Sequence, residues 1–186
     1  MPSIRRTAAL MAGPALAVLA ATSVVAGPSS APHASGTFVD ASGAEVGWLQ
    51  LTEDRHGDVH VNVHVKGLAA GLHGIHIHAV GACTPDFAAA GGHYNPQGHQ
   101  HGLDNPAGPH AGDLPNLIVN EDLVGHLDAR TDRATLSSGP LTLFDFDGSA
   151  FIIHANTDNQ TTDVANGGPA NGNSGARIAC AVVTAD

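Results

Sequence analysis

Positive charge is scarce in this chain. Seven of its 186 residues are Lys or Arg, against seventeen Asp and Glu, and the formal net charge is −10. A surface so acidic repels nucleic acid and anionic membranes, so neither is an expected partner. Segments 68–119 and 158–176 contain no Lys or Arg at all. Aromatic residues make up only 4% of the chain, so a core must come from Val, Ile, Leu and Ala. No stretch keeps a helical period, which argues against a helical domain. There are two cysteines, Cys83 and Cys180, and neither lies near residue 26, which excludes lipid attachment there.

A long uncharged run rich in small and aliphatic residues lies at the N-terminus. Arg5 and Arg6 precede residues 7–26, rich in Ala, Val and Leu, and this reads as a secretory signal peptide over 1–26. Val24 and Ala26 fit the small-residue positions before a cleavage site; Ala34 is a second candidate. Export by the general or the twin-arginine route stays open. A membrane anchor is the lesser reading, because Ala and Gly dilute a run that needs about 20 strongly apolar residues to span. Cleavage removes two arginines and no acid, leaving five basic residues against seventeen acidic and a net charge of −12. Residues 27–35 read as a mobile tether. Residues 36–186 then form one domain of roughly 150 residues, large enough for a real core. Two cysteines in an exported, extracytoplasmic chain suggest one disulfide.

The domain reads as all-β. Val59, Val61, Val63 and Val65 alternate with Asp58, His60, Asn62, His64 and Lys66, the pattern of a half-buried strand. Further strands are expected over 36–41, 44–53, 72–78, 117–120, 125–128, 151–155 and 177–184. Turn residues at Ser42-Gly43, His56-Gly57, Gly67 and Gly139-Pro140 separate them. Trp48 alternates with Leu49 and Leu51 and marks a possible subunit contact in a homodimer.

Histidine is what the chain has in excess. Seven of its thirteen histidines fall within 73–113. In Gly74-Ile75-His76-Ile77-His78 the two imidazoles share one strand face and the isoleucines the other. A long Gly/Pro/Asn-rich loop follows, carrying His93, His99, His101 and His110, then Asp113. Loops of this length in a compact domain are usually functional or disordered. Three or four imidazoles with one carboxylate suit zinc or copper, and two metals are plausible.

These residues carry a resemblance. Gly71-Leu72-His73-Gly74-Ile75-His76-Ile77-His78, Gly91-Gly92-His93-Tyr94-Asn95-Pro96, His110-Ala111-Gly112-Asp113-Leu114, Ile152-Ile153-His154-Ala155 and the run from Gly172 through Arg177 to Cys180 resemble the copper/zinc superoxide dismutases. The match runs from about residue 36 to the end in the family's order, and the first cysteine soon after His78 is similar to the bacterial secreted branch. The resemblance implies an eight-stranded Greek-key β-barrel, an immunoglobulin-like sandwich, with two long functional loops.

It also implies the site. His76, His78, His93 and His154 match the copper ligands; His93, His101, His110 and Asp113 match the zinc ligands, so His93 is the bridge. Asp158 matches the carboxylate that orients His76 and His101. Arg177 matches the arginine that holds the anion beside copper, for which a planar guanidinium with paired donors is suited. Cys83 and Cys180 match the family's disulfide. His73 matches a residue that plugs the barrel end through backbone hydrogen bonds. His33, His56, His60, His64, His99 and His126 are read as solvated. His60 and His64 share a face but stand about 13 Å apart by strand rise, too far to chelate one ion.

The implied activity is dismutation of superoxide to O2 and hydrogen peroxide by alternate reduction and oxidation of copper, with zinc structural and His93 carrying a proton. The alternative is a noncatalytic copper- and zinc-binding or copper-donor domain on the same fold, expected to lack a copper ligand or the arginine; neither is missing. A secreted adhesion domain is a third class. The cation-free segments predict weak electrostatic steering, and the loops over 85–112 and 158–176 are expected to loosen without metal.

Overall fold

A computed structural model describes residues 32–161 and 171–186. The expected signal peptide, the first part of the tether, and residues 162–170 of the second loop lie outside them. Ten strands pair antiparallel: β1 (His33–Asp40), β2 (Glu45–Glu53), β3 (Val59–Lys66), β4 (Gly71–His73), β5 (Ile75–His78), β6 (Leu117–Val119), β7 (Val124–Thr131), β8 (Ala150–His154), β9 (Arg177–Val182) and β10 (Thr184–Ala185). The one helical turn among the described residues is the 3-10 turn Phe87–Ala90, capped by the Asp86 carboxylate, which accepts from Ala88 N.

The sheet runs in the order β4-β6-β7-β3-β2-β1-β9-β8-β5, with β10 on β1. Its two ends, β4 and β5, are consecutive in the chain, so the sheet closes on itself. Counting them as one track gives eight around a nearly closed barrel, and the spatial order β4-β6-β7-β3 is a Greek key. Closure removes exposed sheet edges. Alternation decides what fills the interior: Leu49 and Leu51 of β2, the four valines of β3, Ile75 and Ile77 of β5, and Phe38 and Phe151 are fully buried.

Two expectations need correction. Residues 33–35 belong to β1 and not to a tether: Ala34 is buried and pairs with both Leu51 and Ala185. The second cleavage position, after Ala34, therefore falls inside a strand. The strand expected over 72–78 is two strands, because at Gly74 the chain leaves β6 and joins β8. Gly74 N donates to Asn156 O at 2.8 Å and Gly74 O accepts from His154 N at 2.8 Å. A Cβ at Gly74 would lie 2.7 Å from that of Ser174, so only glycine passes this crossing.

The long loop after β5 is laid along that strand's remaining edge. Tyr94 N donates to Ile77 O, Ala79 N to Gly92 O and Ile77 N to Gly112 O, at 2.8 to 2.9 Å. A side chain at Gly112 would collide with Ile77 O at 2.3 Å. Cys83 and Cys180 are joined, tying the early part of this loop to β9 across a separation of 97 residues. In the chain-entropy picture a closed loop of that size stabilises the fold by about 4 to 5 kcal/mol.

Candidate metal centre

Ile75 and Ile77 enter the barrel core, so His76 and His78 project to the outside of β5, where the loops cover them. His154 comes from the end of β8, which pairs with β5, and His93 from the loop along its edge. One ligand atom from each of His76, His78, His93 and His154 can be chosen so that all lie within 4.8 Å of one another.

Their hydrogen bonds decide which nitrogen is free. His78 Nδ1 and His154 Nδ1 lie 3.0 Å from the carbonyls of Gly91 and Gly175, and His76 Nε2 lies 2.6 Å from Asp158 Oδ2. Carbonyl and carboxylate oxygens only accept, so each of these nitrogens donates and the other carries a lone pair. Those others, His76 Nδ1, His78 Nε2 and His154 Nε2, are buried without a hydrogen-bond partner among the described residues. Unpaired buried acceptors are costly, and three in one cluster match the donor set of a bound cation. Burial also disfavours the charged rings, lowering the pKa of His76 to about 3, His78 to about 2 and His154 to about 4. All three are neutral near pH 7, the form that ligates metal.

The second group converges on Asp113. Its Oδ1 lies 3.0 Å from His93 Nδ1, 2.9 Å from His101 Nδ1 and 3.3 Å from His110 Nδ1. Its Oδ2 accepts from the amides of Gly102 and His110 at 2.8 and 2.9 Å. Tetrahedral zinc with ligands about 2.0 Å away has ligand–ligand edges of about 3.3 Å, and the three nitrogen–oxygen spacings around Asp113 are close to that length. A group whose ligand atoms all lie within 4.8 Å of one another has His76 in place of His110, with His93, His101 and Asp113. Burial works against charge on His101, but hydrogen bonds to Asp113 and Asp158 outweigh it and lift its pKa to about 9. Burial likewise raises Asp113, yet the hydrogen bonds from His101, His110 and His93 hold it well below the usual carboxylate range.

Asp158 joins the two groups, its Oδ2 to His76 Nε2 and its Oδ1 to His101 Nε2 at 3.0 Å. Asn116 grips its backbone on both sides. Gly172, at φ 60°, is obligatory beside it, since a Cβ there would sit 1.8 Å from Asp158 Oδ1. His73 is buried, with its ring nitrogens at the carbonyls of His154 and Ala69.

Arg177 opens β9 and lines the pocket that His78, His93, His110 and His154 also line. Its guanidinium donates to Phe87 O at 2.5 Å and Gly91 O at 2.6 Å. Gly91 O thus holds both Arg177 and His78. Burial lowers the guanidinium pKa, with Asp86 opposing.

Every residue singled out in the sequence for the two groups is present in this cluster. Absent from the sequence reading were the carbonyls of Phe87, Gly91 and Gly175, and the roles of Asn116 and Gly172. Backbone carbonyls leave no residue-type signal. His99, His60, His64 and His126 stand outside the centre.

Residues 45–183 match the family model described as copper/zinc superoxide dismutase (SODC). The chain is 41% identical over 149 residues to the superoxide dismutase-like protein YojM of Bacillus subtilis (strain 168), covering 77% of this chain and 71% of that one. It is 37% identical over 153 residues to superoxide dismutase (Cu-Zn) 2 of Aquifex aeolicus (strain VF5), covering 81% and 85%. The crystal structure of a SOD-like protein from Bacillus subtilis superposes with a TM-score of 0.69 at 38% identity, over 80% of this chain and 96% of that one. The chain belongs to the copper/zinc superoxide dismutase family.

Proposed function

We propose that this chain is a superoxide dismutase in which His76, His78, His93 and His154 hold copper and His93, His101, His110 and Asp113 hold zinc. The observation that carries the reading is the set of three buried imidazole nitrogens left without hydrogen bonds beside His93, in a pocket that Arg177 lines. Copper supplies a one-electron couple that zinc lacks. The protein's own residues do the rest. Arg177 binds and orients the anion, with its guanidinium fixed by the Phe87 and Gly91 carbonyls so that little freedom is lost on binding. His93, whose Nδ1 is committed toward Asp113, has Nε2 as the atom that holds a proton and returns it to the departing peroxide. Two superoxide anions and two protons give O2 and H2O2. Asp158 keeps His76 and His101 in the required tautomers.

The same reading makes residues 1–26 a signal peptide and the mature protein extracytoplasmic, in keeping with the Cys83–Cys180 disulfide. The relatives are named both superoxide dismutase and superoxide dismutase-like, so turnover by this chain rests on its own residues. Direct superoxide decay by the mature protein loaded with copper and zinc tests it, beside Arg177→Ala. A fast rate that falls at least about tenfold in the variant is expected; metal uptake without turnover would favour the noncatalytic metal-binding reading.

A further inference from the structure

Among the described residues, the outer wall formed by β2, β3, β7 and β6 contributes nothing to the metal centre, yet it carries histidines of its own. β3 pairs with β2 over seven residues and with β7 over eight, with no bulge in either ladder. One rung of this ladder reads Trp48, His64, His126, Ile118 across four strands. All four belong to the outward face: Val63, Val65 and Leu127, their neighbours along the strands, are buried.

His64 and His126 are direct cross-strand partners. Side chains so placed have Cβ atoms about 4.5 to 5.5 Å apart, within the span of two imidazoles that share one cation. Neither ring forms a hydrogen bond or ion pair with another described residue. The ring contact of His64 is a stack on Trp48, centroids 5.7 Å apart and planes 13° from parallel. This separates the pair from His60, whose cross-strand partner is the cation Arg130 and whose Nε2 lies 3.5 Å from Asp54. Asp128 is two residues beyond His126 on the same face, diagonal to His64, and is the nearest carboxylate along the ladder.

We propose that His64 and His126 form a separate, solvent-facing site for a divalent first-row transition cation: copper(II), nickel(II) or zinc(II). Imidazole selects these ions over magnesium and calcium, which take oxygen ligands. Water fills the remaining positions, so the site exchanges its ion readily, unlike the enclosed centre on the other side of the barrel. The rigid ladder fixes the separation of the two Cβ atoms before any metal arrives, which lowers the ordering cost of binding.

Trp48 makes the proposal directly testable, because it is the single tryptophan of the chain and stacks on one of the two rings. Nickel(II) is titrated into protein already loaded with copper and zinc, and tryptophan emission is followed. One equivalent per chain should quench it saturably. His126→Gln, which leaves the Trp48–His64 stack in place, and His64→Gln should each weaken the midpoint at least tenfold. Equal quenching in His126→Gln, or no saturation up to millimolar nickel, overturns the site. The readout uses neither superoxide nor turnover, so it stands or falls independently of the dismutase reading.

Discussion

β3 reads Val-His-Val-Asn-Val-His-Val-Lys and leaves its polar face at least partly open to solvent, whereas β5 reads Ile-His-Ile-His and buries all four side chains. Both strands send their aliphatic residues into the same core. The difference lies in what covers the other face. Over β3 there is water; over β5 lie the loop at 91–94 and 110–113, paired to the strand's own edge, and Asp158 with Gly172 and Ser174 beyond. Alternation therefore tells which side chains share a face, and tertiary contacts alone tell whether that face is wet. Histidines left in water are surface groups; the two histidines of β5, under that cover, lose hydration, stay neutral and each keep one nitrogen without a hydrogen-bond partner among the described residues.

Removing both metals should break this contrast most strongly. Each ion held a thousandfold above its Kd stabilises the native state by about 4 kcal/mol, so a clear fall in melting temperature is expected on chelation. Hydrogen exchange should locate the loss: amides of 91–113 give up protection while those of β2, β3 and β7 keep theirs. Uniform loss would mean that the lid and the wall are one cooperative unit.

Reducing the difference covalently comes next. The double variant Cys83→Ser/Cys180→Ser should lose about 4 to 5 kcal/mol in urea unfolding, since a loop closed over 97 residues is released. The Arg177 anchor loosens too, because the Phe87 and Gly91 carbonyls sit on the freed segment.

A matched pair of substitutions isolates the strands themselves. His78→Ala should reduce superoxide turnover more than about a hundredfold, equivalent to about 2.7 kcal/mol in the barrier. His60→Ala, its exposed counterpart on β3, should leave turnover unchanged and stability within about 0.5 kcal/mol. Equal losses would mean that the covered and the exposed strand histidines do not differ in role.

Asp158→Asn keeps the shape but weakens the acceptor for His76 and His101. Competition with a chelator should show metal affinity down by about 10 to 100-fold. The smallest effect concerns the approach of substrate. With no Lys or Arg in 68–119, the rate should fall by no more than about twofold between low and physiological salt; a steep fall would show steering from charges elsewhere.

The strands were legible where one face is wet, as in β3, because a period of two survives any neighbour. The break at Gly74 was read through, although Leu72 and His73 carry the opposite phase to Ile75–His78: Leu72 is exposed and His73 buried. What splits them is the change of partner from β6 to β8, a contact between distant segments. The start of β1 was hidden for the same reason. His33, Ala34 and Ser35 look like a polar tether in isolation and become a strand only through pairing with β2 and β10.

By itself the sequence determined the composition of the candidate centre: which histidines share a strand, which lie in the long loop, and which carboxylates accompany them at metal-ligand spacing. Residue type fixes donor chemistry, and spacing along a strand fixes facing. Tertiary structure decided which nitrogen of each ring is free, because that depends on whether Gly91, Gly175 or Asp158 accepts from the other. It also decided that Arg177 and His78 share one carbonyl, and that His64 and His126 stand opposite each other across two strands 62 positions apart in the chain. Backbone carbonyls and cross-strand register come from chain closure, and closure is a property of the whole barrel.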